Sequence, residues 1–496
     1  MGSNLDIQSR RHEVMRVLPR ENQAINECWL SDRDRFSYLG LNGPERLLVP
    51  MIRTDGRWVE VDWNTALGFS AAGLRKAIDT HGSDQLGALA APGCTVEELY
   101  LLQRLIRSLG SGNVDHRLRQ IDFSDDDALP PFPWLGQAIA ALDDLDAALL
   151  VGSNIRKDQP ILGHRLRKAA GKGAQIMTIN PVDYDFAFEL AYKIIADPGA
   201  MISALAGVAK ALTARGKHAR RSLPGWFNGL MPGEREQAIA EVLVSAGRAT
   251  VLLGSFALSH PKAAALRAIA GLVGELAGAQ LGYLADANSA GAWLAGCVPH
   301  RGAAGGTATQ GRDAYAMMQK PLKAYVLLGV EPELDCLEGA HARAAMEAAA
   351  FVVMLTPFRP VSARTGAMQY ADVLLPLAPF TETAGTFVNC EGRWQSFKTA
   401  VRPPGEARPG WKILRVLGNR MGQPGFEQST VWEVRAEIDA GNVVPSAALN
   451  KLVLPNELEG EADALTRICE VPIYRVDGLV RRSPALQETA DNPPPA

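Results

Sequence analysis

The segment ADVLLPLAPF at 371–380 decides the fold class, together with FVVMLTPF at 351–358. Each is a short apolar run that ends at a turn-forming residue, and four more runs share this pattern: AALLVGSN at 147–154, AQIMTIN at 174–180, ATVLLGS at 249–255 and AYVLLGV at 324–330. Segments of helical period alternate with these runs, namely EELYLLQRLIRSL at 97–109, ILGHRLRKAA at 161–170, MISALAGVAKALTA at 201–214 and EREQAIAEVLVSA at 234–246. Such alternation, with strands that are apolar on both faces, predicts an α/β fold with parallel sheets.

The composition narrows the class of protein. With 496 residues, of which 47% are hydrophobic, the chain exceeds one ordinary core, so two or more domains are expected. Lys and Arg number 51 against 54 Asp and Glu, and this balance does not point to a nucleic-acid partner. The six cysteines lie far apart without a C-x-x-C motif. Their spacing indicates neither a zinc site nor a local iron–sulfur site, and it favours a reducing compartment.

The best candidate for a membrane span is the stretch 263–284. Arg267 and Glu275 interrupt it, whereas a spanning helix needs roughly 20 uninterrupted apolar residues. We interpret the stretch as a buried Ala-rich helix. The N-terminus MGSNLDIQSRRHEV lacks the apolar segment of a secretory signal. We therefore expect a soluble chain that associates with a membrane only through partners.

Common nucleotide-binding motifs are absent: the sequence has no G-x-G-x-x-G after a strand and no G-x-x-x-x-G-K-[ST]. The Gly-rich segment RGAAGGTATQG at 301–311 is typical of a flexible loop. Two loops after strands are candidates for a site: Gly152-Ser153-Asn154, whose backbone N–H groups could face an anion, and TETAGTFVNCEGRWQ at 381–395. On chemistry alone, either one could be an ordinary turn.

Together these segments resemble a known family. A strand that ends in Gly-Ser-Asn, a distant ADVLLP and then TETAGTFVNCEGR are similar to the molybdopterin oxidoreductase family, which includes formate dehydrogenases and periplasmic nitrate reductases. The resemblance extends to RFSY at 35–38, ERLLVPMIR with GRWVEVDWNTAL at 45–67, and LLQRLIRSLGSGNVDH at 101–116. Three segments resemble one group within the family more closely, the large peripheral-arm subunits of bacterial NADH:quinone oxidoreductases, the respiratory complex I. These segments are VMRVLPRENQAINECWLSDRDRFSYLGLN at 14–42, SNIRKDQPILGHRLRKAA at 153–170 and TINPVDYDF at 178–186.

The resemblance implies two Rossmann-like lobes with parallel sheets. Residues 1–45 would be a remnant of the family's 4Fe–4S domain, and 46–425 the molybdopterin oxidoreductase-like domain. Within that domain, one lobe would comprise about 46–135 plus 310–425, and the other about 136–309. Residues 426–496 would form an irregular extension whose Pro-rich end, SPALQETADNPPPA, is disordered.

The positions that hold cofactors in active relatives carry other residues here. In those relatives the last cluster cysteine opens a C-x-x-G-R-F segment, where this chain has Ser31, and Arg33 stands where many members have a lysine. Cys28 is three residues out of register. The molybdenum-ligand position of formate dehydrogenases falls near Ile121, which we expect to be a core residue covered by other side chains. We interpret Cys94 as a buried core thiol. Too little sequence follows Trp411 for the β-barrel domain that closes over the pterin in active enzymes.

The resemblance therefore implies a catalytically silent scaffold subunit of the proton-translocating NADH:quinone oxidoreductase. It would contact other peripheral-arm subunits, including the NADH-binding module, on the cytoplasmic side of the bacterial inner membrane. The 2Fe–2S and 4Fe–4S clusters of the whole subunit would lie in N-terminal domains that are absent here, so we expect a shortened subunit with no metal, cluster or molybdenum of its own and no catalytic residue. Its idle pterin cleft would be lined by Gly152, Ser153, Asn154, Thr381, Glu382, Gly385 and Asn389. The alternatives are an active molybdopterin enzyme of the formate dehydrogenase type and a free-standing scaffold unrelated to respiration.

Overall fold

The computed structural model of the chain describes residues 1–219, 222–359, 366–438, 443, 452–458, 468 and 470–490. Within this part of the chain the strands are β1 Leu5–Arg10, β2 Glu13–Pro19, β3 Met51–Thr54, β4 Arg57–Glu60, β5 Leu86–Ala90, β6 Val114–Asp115, β7 Ala147–Val151, β8 Gln175–Asn180, β9 Tyr192–Ile195, β10 Ala249–Leu253, β11 Gln280–Tyr283, β12 Ala324–Leu328, β13 Phe351–Thr356, β14 Val373–Ala378, β15 Gly385–Val388, β16 Trp394–Phe397 and β17 Arg408–Pro409.

The α-helices in the same residues are α1 Asp32–Phe36, α2 Trp63–His81, α3 Val96–Ser108, α4 Ile155–Asp158, α5 Pro160–Gly171, α6 Pro198–Ala214, α7 Glu234–Ser245, α8 Ser255–Leu258, α9 Ala263–Ala277, α10 Ser289–Leu294, α11 Ala314–Gln319, α12 Pro332–Asp335, α13 Gly339–Glu347, α14 Ala367–Tyr370, α15 Gly410–Arg420, α16 Val431–Ala436 and α17 Pro484–Gln487. All six strands and all four helices expected from the apolar runs are present, which confirms the α/β fold class.

Two parallel sheets organise the chain. The first has the strand order β11-β10-β7-β8-β9, with every pair parallel. Strands β7 and β10 are buried along their whole length because helices cover both faces of this sheet. Burial on both faces explains why these strands read as unbroken apolar runs.

The second sheet has the order β4-β3-β14-β13-β12-β5-β6, and β17 pairs with β14. Its strands from β14 to β6 are parallel, whereas the hairpin β3–β4 joins β14 antiparallel. The strands thus come from two distant parts of the sequence, one before and one after the first sheet. Hydrophobic clusters lie on both faces of this sheet as well.

The stretch 263–284 is a correction to the sequence analysis. It is not one helix, because α9 ends at Ala277 and Gly278 follows in the left-handed conformation with φ +70°. The next residues form the edge strand β11. Among the described helices, none has the length and apolar character needed to cross a bilayer.

The two ends of the chain pack on this framework. The hairpin β1–β2 and the short helix α1 form the N-terminal unit. Within the stretch 483–496, which composition predicts to be disordered, the structure has helix α17 with Leu486 buried, so this first part is ordered. Residues 491–496 lie outside the described residues.

Candidate functional site

The carboxyl ends of the two sheets meet, and Asn288 joins them. Asn288 follows β11; its backbone N–H donates to the Pro92 carbonyl at 2.8 Å, and its side-chain amide donates to the Cys94 carbonyl at 2.8 Å. Both acceptors follow β5. The Asn288 side-chain oxygen also accepts the N–H of Val388 in β15 at 2.7 Å. Because ligands in such sheets bind outside the carboxyl ends of the strands, this junction is the candidate site.

The Gly152–Asn154 turn is held by packing. Gly152 has φ +57°, and a Cβ there would lie 2.5 Å from the backbone nitrogen of Ala257. Ser153 is fully buried, and its N–H donates to the side chain of Asn180 at 2.8 Å. The Asn180 amide returns a bond to the Ser153 carbonyl at 3.1 Å. These contacts require glycine and a small residue here, without reference to any ligand.

The 381–389 segment forms part of a cavity of about 300 Å³. Glu382 is buried and forms an ion pair with Nη2 of Arg46, whose Nε and Nη1 atoms have no hydrogen-bond partner among the described residues. Burial raises the pKa of Glu382 to about 7, although the charge of Arg46 opposes the rise. Of the seven predicted cleft positions, Thr381 and Glu382 line this cavity, whereas Asn389 caps a turn by accepting the N–H groups of Glu391 and Arg393.

Ser31, which the sequence analysis places at a lost cluster-ligand position, has a structural role. It is the N-cap of α1: its hydroxyl oxygen accepts the N–H of Asp34 at 3.1 Å, and the hydroxyl donates to the Asp34 carboxylate at 2.8 Å. Ser followed three residues later by an acid is a helix-start signal that the sequence analysis overlooked. The only cysteine in the first 45 residues, Cys28, is exposed. One thiol and a helix cap do not fit a cluster that needs four thiolates.

Ile121 is only half-buried, which corrects the expectation of a core residue there. Its loop is held by acidic side chains instead. Asp122 accepts the N–H of Ala264 at 2.7 Å, Asp125 pairs with Arg267, and Asp126 pairs with Arg117. These polar anchors replace the apolar packing that we expected.

Replacing Ile121 by alanine should lower the free energy of unfolding by about 1 kcal/mol, below the roughly 2–5 kcal/mol of a full core truncation, because the Ile121 side chain is only partly removed from solvent. Denaturant titration measures the difference. Leu118→Ala is the matched control, since Leu118 is buried three residues away and should show the full core value. Equal losses in the two variants would show that Ile121 is packed as tightly as Leu118.

Asp158, which the sequence analysis assigned no role, lies at this junction. It ends α4, directly after the Gly152–Asn154 turn, and its carbonyl accepts a hydrogen bond from Arg33. Burial, reinforced by the charge of Asp286, raises the pKa of Asp158 to about 7. Perturbed acids in a cleft are candidates for function. The Asp158 carbonyl also holds Arg33 against the loop that follows the first sheet's strand β7.

Glu98 caps two helices from a fully buried position. Its carboxylate accepts the N–H of Thr95 at 2.9 Å, which completes the capping box of α3. It also accepts the N–H of Gly410, at the start of α15, at 3.1 Å. Burial raises the pKa of Glu98 from 4.5 to about 7 despite these bonds. The helix starts that it joins belong to two distant parts of the sequence.

Glu98→Gln should therefore change how stability depends on pH. The folded state favours the protonated acid, so the native chain is stabilised below the unfolded pKa of 4.5 and loses stability as the pH rises through 7. The amide carries a constant penalty, since it accepts fewer bonds, but does not titrate. The free energy of unfolding, measured by denaturant titration at each pH, should therefore rise in the variant relative to wild type by roughly 2–3 kcal/mol between about pH 5 and about pH 8. Glu60→Gln, at an exposed position, is the control. A difference independent of pH would contradict this assignment.

The fold and this site define the class of the protein. The sequence profile described as molybdopterin oxidoreductase matches residues 46–420, and the chain belongs to that family. A second profile, the 4Fe-4S domain of the NADH-ubiquinone oxidoreductase NDSU1/NuoG-like type, matches residues 1–39. Both resemblances stated from the sequence are confirmed.

Curated relatives narrow the class further. The chain is 28% identical over 504 residues to the mitochondrial NADH-ubiquinone oxidoreductase 78 kDa subunit of Candida albicans, covering 98% of this chain and 62% of that protein. It is 29% identical over 420 residues to the G subunit of the NADH-quinone oxidoreductase of Rickettsia typhi, covering 84% and 53%. The chain thus spans less than two thirds of each relative. Acetylene hydratase from Pelobacter acetylenicus shares the fold, with a TM-score of 0.57, 16% identity, and coverage of 86% of this chain and 68% of that one.

Proposed function

We propose that the chain is a subunit of a proton-translocating NADH:quinone oxidoreductase and acts in it as a catalytically silent scaffold. The proposal rests mainly on what is observed in residues 1–39. They match the NuoG-like 4Fe-4S domain and yet contain a single, exposed cysteine, while Ser31 caps a helix where a ligand would stand. The names of the curated relatives point to the same enzyme.

The candidate cleft supports the silent role. Gly152 and Ser153 are packed against Ala257 and Asn180, and Glu382 is neutralised by Arg46. None of these residues presents a thiol to the position near Ile121 where the sequence analysis places the lost metal ligand. We propose that iron–sulfur clusters, and not this cleft, carry the electrons in such an enzyme, and that no molybdenum binds here.

The proposal also covers the partner subunits of the chain and its location in the cell. A scaffold of this kind would contact the other peripheral-arm subunits, including the NADH-binding module. It would reach the cytoplasmic side of the inner membrane only through them. The names of the curated relatives, which are subunits of the same kind of enzyme, support this part of the proposal.

Affinity purification through a tag on the native chain tests the proposal. We expect NADH-oxidising subunits to co-purify and elemental analysis to find no stoichiometric molybdenum or tungsten. Stoichiometric molybdenum with formate oxidation would instead establish the active molybdopterin enzyme. Purification without any NADH-oxidising partner would establish a free-standing scaffold.

The variant Ile121→Cys sharpens the same test. Restoring a thiol at the position of the lost ligand should recruit no molybdenum and no formate oxidation, because the cluster and the family's lysine are also missing from this chain. Elemental analysis and formate-dependent dye reduction measure the outcome. Molybdenum in this single variant, and not in an Ile121→Ser control, would show that one side chain is all that separates the scaffold from an active enzyme.

A further inference from the structure

Residues 470–490, named here the C-terminal strap, run along the carboxyl ends of both sheets. At one end, Glu470 bonds to the hydroxyl of Tyr184, which follows β8 of the first sheet. Further along, the carbonyl of Val476 accepts a bond of 2.7 Å from Arg119, which follows β6 of the second sheet. The strap therefore crosses from one sheet to the other at the edge where ligands bind in this fold class.

Two adjacent arginines fix the strap to the loop after β12. Arg481 lies 2.7 Å from Glu331 and 2.8 Å from Asp335. Arg482 lies 2.6 Å from Glu331 and 2.7 Å from Glu45. The Arg482 guanidinium also stacks 4.2 Å from the ring centre of Phe358, which follows β13. Glu331 is 5% exposed, so these pairs are largely shielded from solvent.

The strap also holds the N-terminal unit. The Ser483 hydroxyl donates to the Phe36 carbonyl at 2.8 Å, and Phe36 packs against the strap's own apolar cluster. A Cβ on Gly40 would lie 2.4 Å from the Leu479 carbonyl, so the two backbones are in close contact. The strap thus contacts both sheets and the segment that follows Ser31.

The charge of the site formed by Glu331, Asp335 and Glu45, named here the acidic cleft, decides what can occupy it. The loop after β12 presents two buried carboxylates, Glu331 and Asp335, and Glu45 adds a third from the chain before β3. Without a cation between them these groups would repel one another and any phosphate that approached. A pyrophosphate-bearing ligand is therefore the wrong charge for this position. A forked, permanently charged guanidinium fits it.

We propose that the strap is the resident ligand of the acidic cleft: Arg481 and Arg482 fill it from within the same chain, outside the carboxyl ends of the strands, where ligands bind in this fold class. The inference extends the proposed function, since a cleft filled by its own chain stays silent. The cleft is selective for an arginine-bearing peptide, and closing it ties the two sheets to the N-terminal unit.

The test uses the complete folded chain with a specific protease site placed between 459 and 467, cleaved after purification. The released strap should stay bound in gel filtration at low salt. After displacement at high salt, a labelled synthetic peptide of residues 470–490 should rebind with saturation. A peptide with Arg481→Glu and Arg482→Glu should bind about 100-fold more weakly or worse, whereas one with Ala485→Glu, at an exposed position, should bind like wild type.

Because the substitutions lie in the peptide, no variant has to fold. Equal binding of the double-glutamate peptide, loss of the strap at low salt, or competition by added pyrophosphate would overturn the inference. The assay needs no partner subunit and no NADH oxidation. A failure of the strap and a failure of the proposed respiratory role are therefore separate results.

Discussion

Replacing Arg267 by methionine should lower the free energy of unfolding by about 3–5 kcal/mol, although methionine suits the apolar helix α9 better. Arg267 is 2% exposed and bonds both oxygens of Asp125, at 2.6 and 2.8 Å. It also donates to the Asp122 carbonyl at 3.3 Å. Without the guanidinium, the Asp125 carboxylate is left shielded from water with no counter-charge, and the Ile121 loop loses its main anchor.

Chemical denaturation measures this loss, and two variants control it. Arg235→Met removes an exposed arginine from α7 and should change stability by less than about 0.5 kcal/mol. Combining Arg267→Met with Asp125→Ala should recover part of the loss, because the unpaired carboxylate is then gone. If the double variant is as unstable as the sum of the two single variants, the ion pair is not the cause.

The segment that contains Arg267 shows which features of the fold could be predicted from the sequence and which could not. Arg267 correctly excluded a membrane span from 263–284, because an apolar helix in lipid would not carry it. The apolar character runs on without a break past Ala277, however, so the helix and the edge strand β11 were merged into one. Gly278, in the left-handed conformation, is the signal that separates them, and it was available in the sequence.

Strand β5 was missed for a different physical reason. Its residues, LGALA, are small and have low strand propensity, yet it lies between β12 and β6 in the second sheet. A Cβ at Gly87 would lie 2.5 Å from the side chain of Leu322, so tertiary packing selects a residue that local propensity disfavours. Tertiary context of this kind is invisible in a short window of sequence.

The candidate site was likewise predictable from the sequence only in part. Periodicity and turn residues located the strand-end loops, since these are local features. The contacts that join the loops are not local: Asn288 reaches Cys94, and Arg482 reaches Glu331 across about 150 positions. Such pairs follow no periodic pattern, so residues 483–496, which include the end of the strap, were predicted to be disordered from their proline content alone.

Asp115→Ala should lower the free energy of unfolding by about 4 kcal/mol or more. Asp115 is fully buried at the end of β6 and accepts five hydrogen bonds. Two come from the Arg117 guanidinium, at 2.9 Å each, and the others come from the N–H groups of His116, Arg117 and Ala314. Alanine leaves every one of these donors without its acceptor.

The loss of the bond from Ala314 should affect distant parts of the chain, because this bond connects the end of β6 to the start of α11 across 199 positions. Asp115→Asn keeps the shape of the side chain and one accepting oxygen. Its NH2 group cannot accept the bonds of the other oxygen, and the amide does not neutralise Arg117, so a large part of the loss should remain. Asp127→Ala, exposed in the same loop region, should be nearly neutral. Thermal and denaturant unfolding of the three variants should rank them in that order. If Asp115→Asn were as stable as wild type, hydrogen bonding alone would hold this junction, and the buried charge of Asp115 would have no part in it.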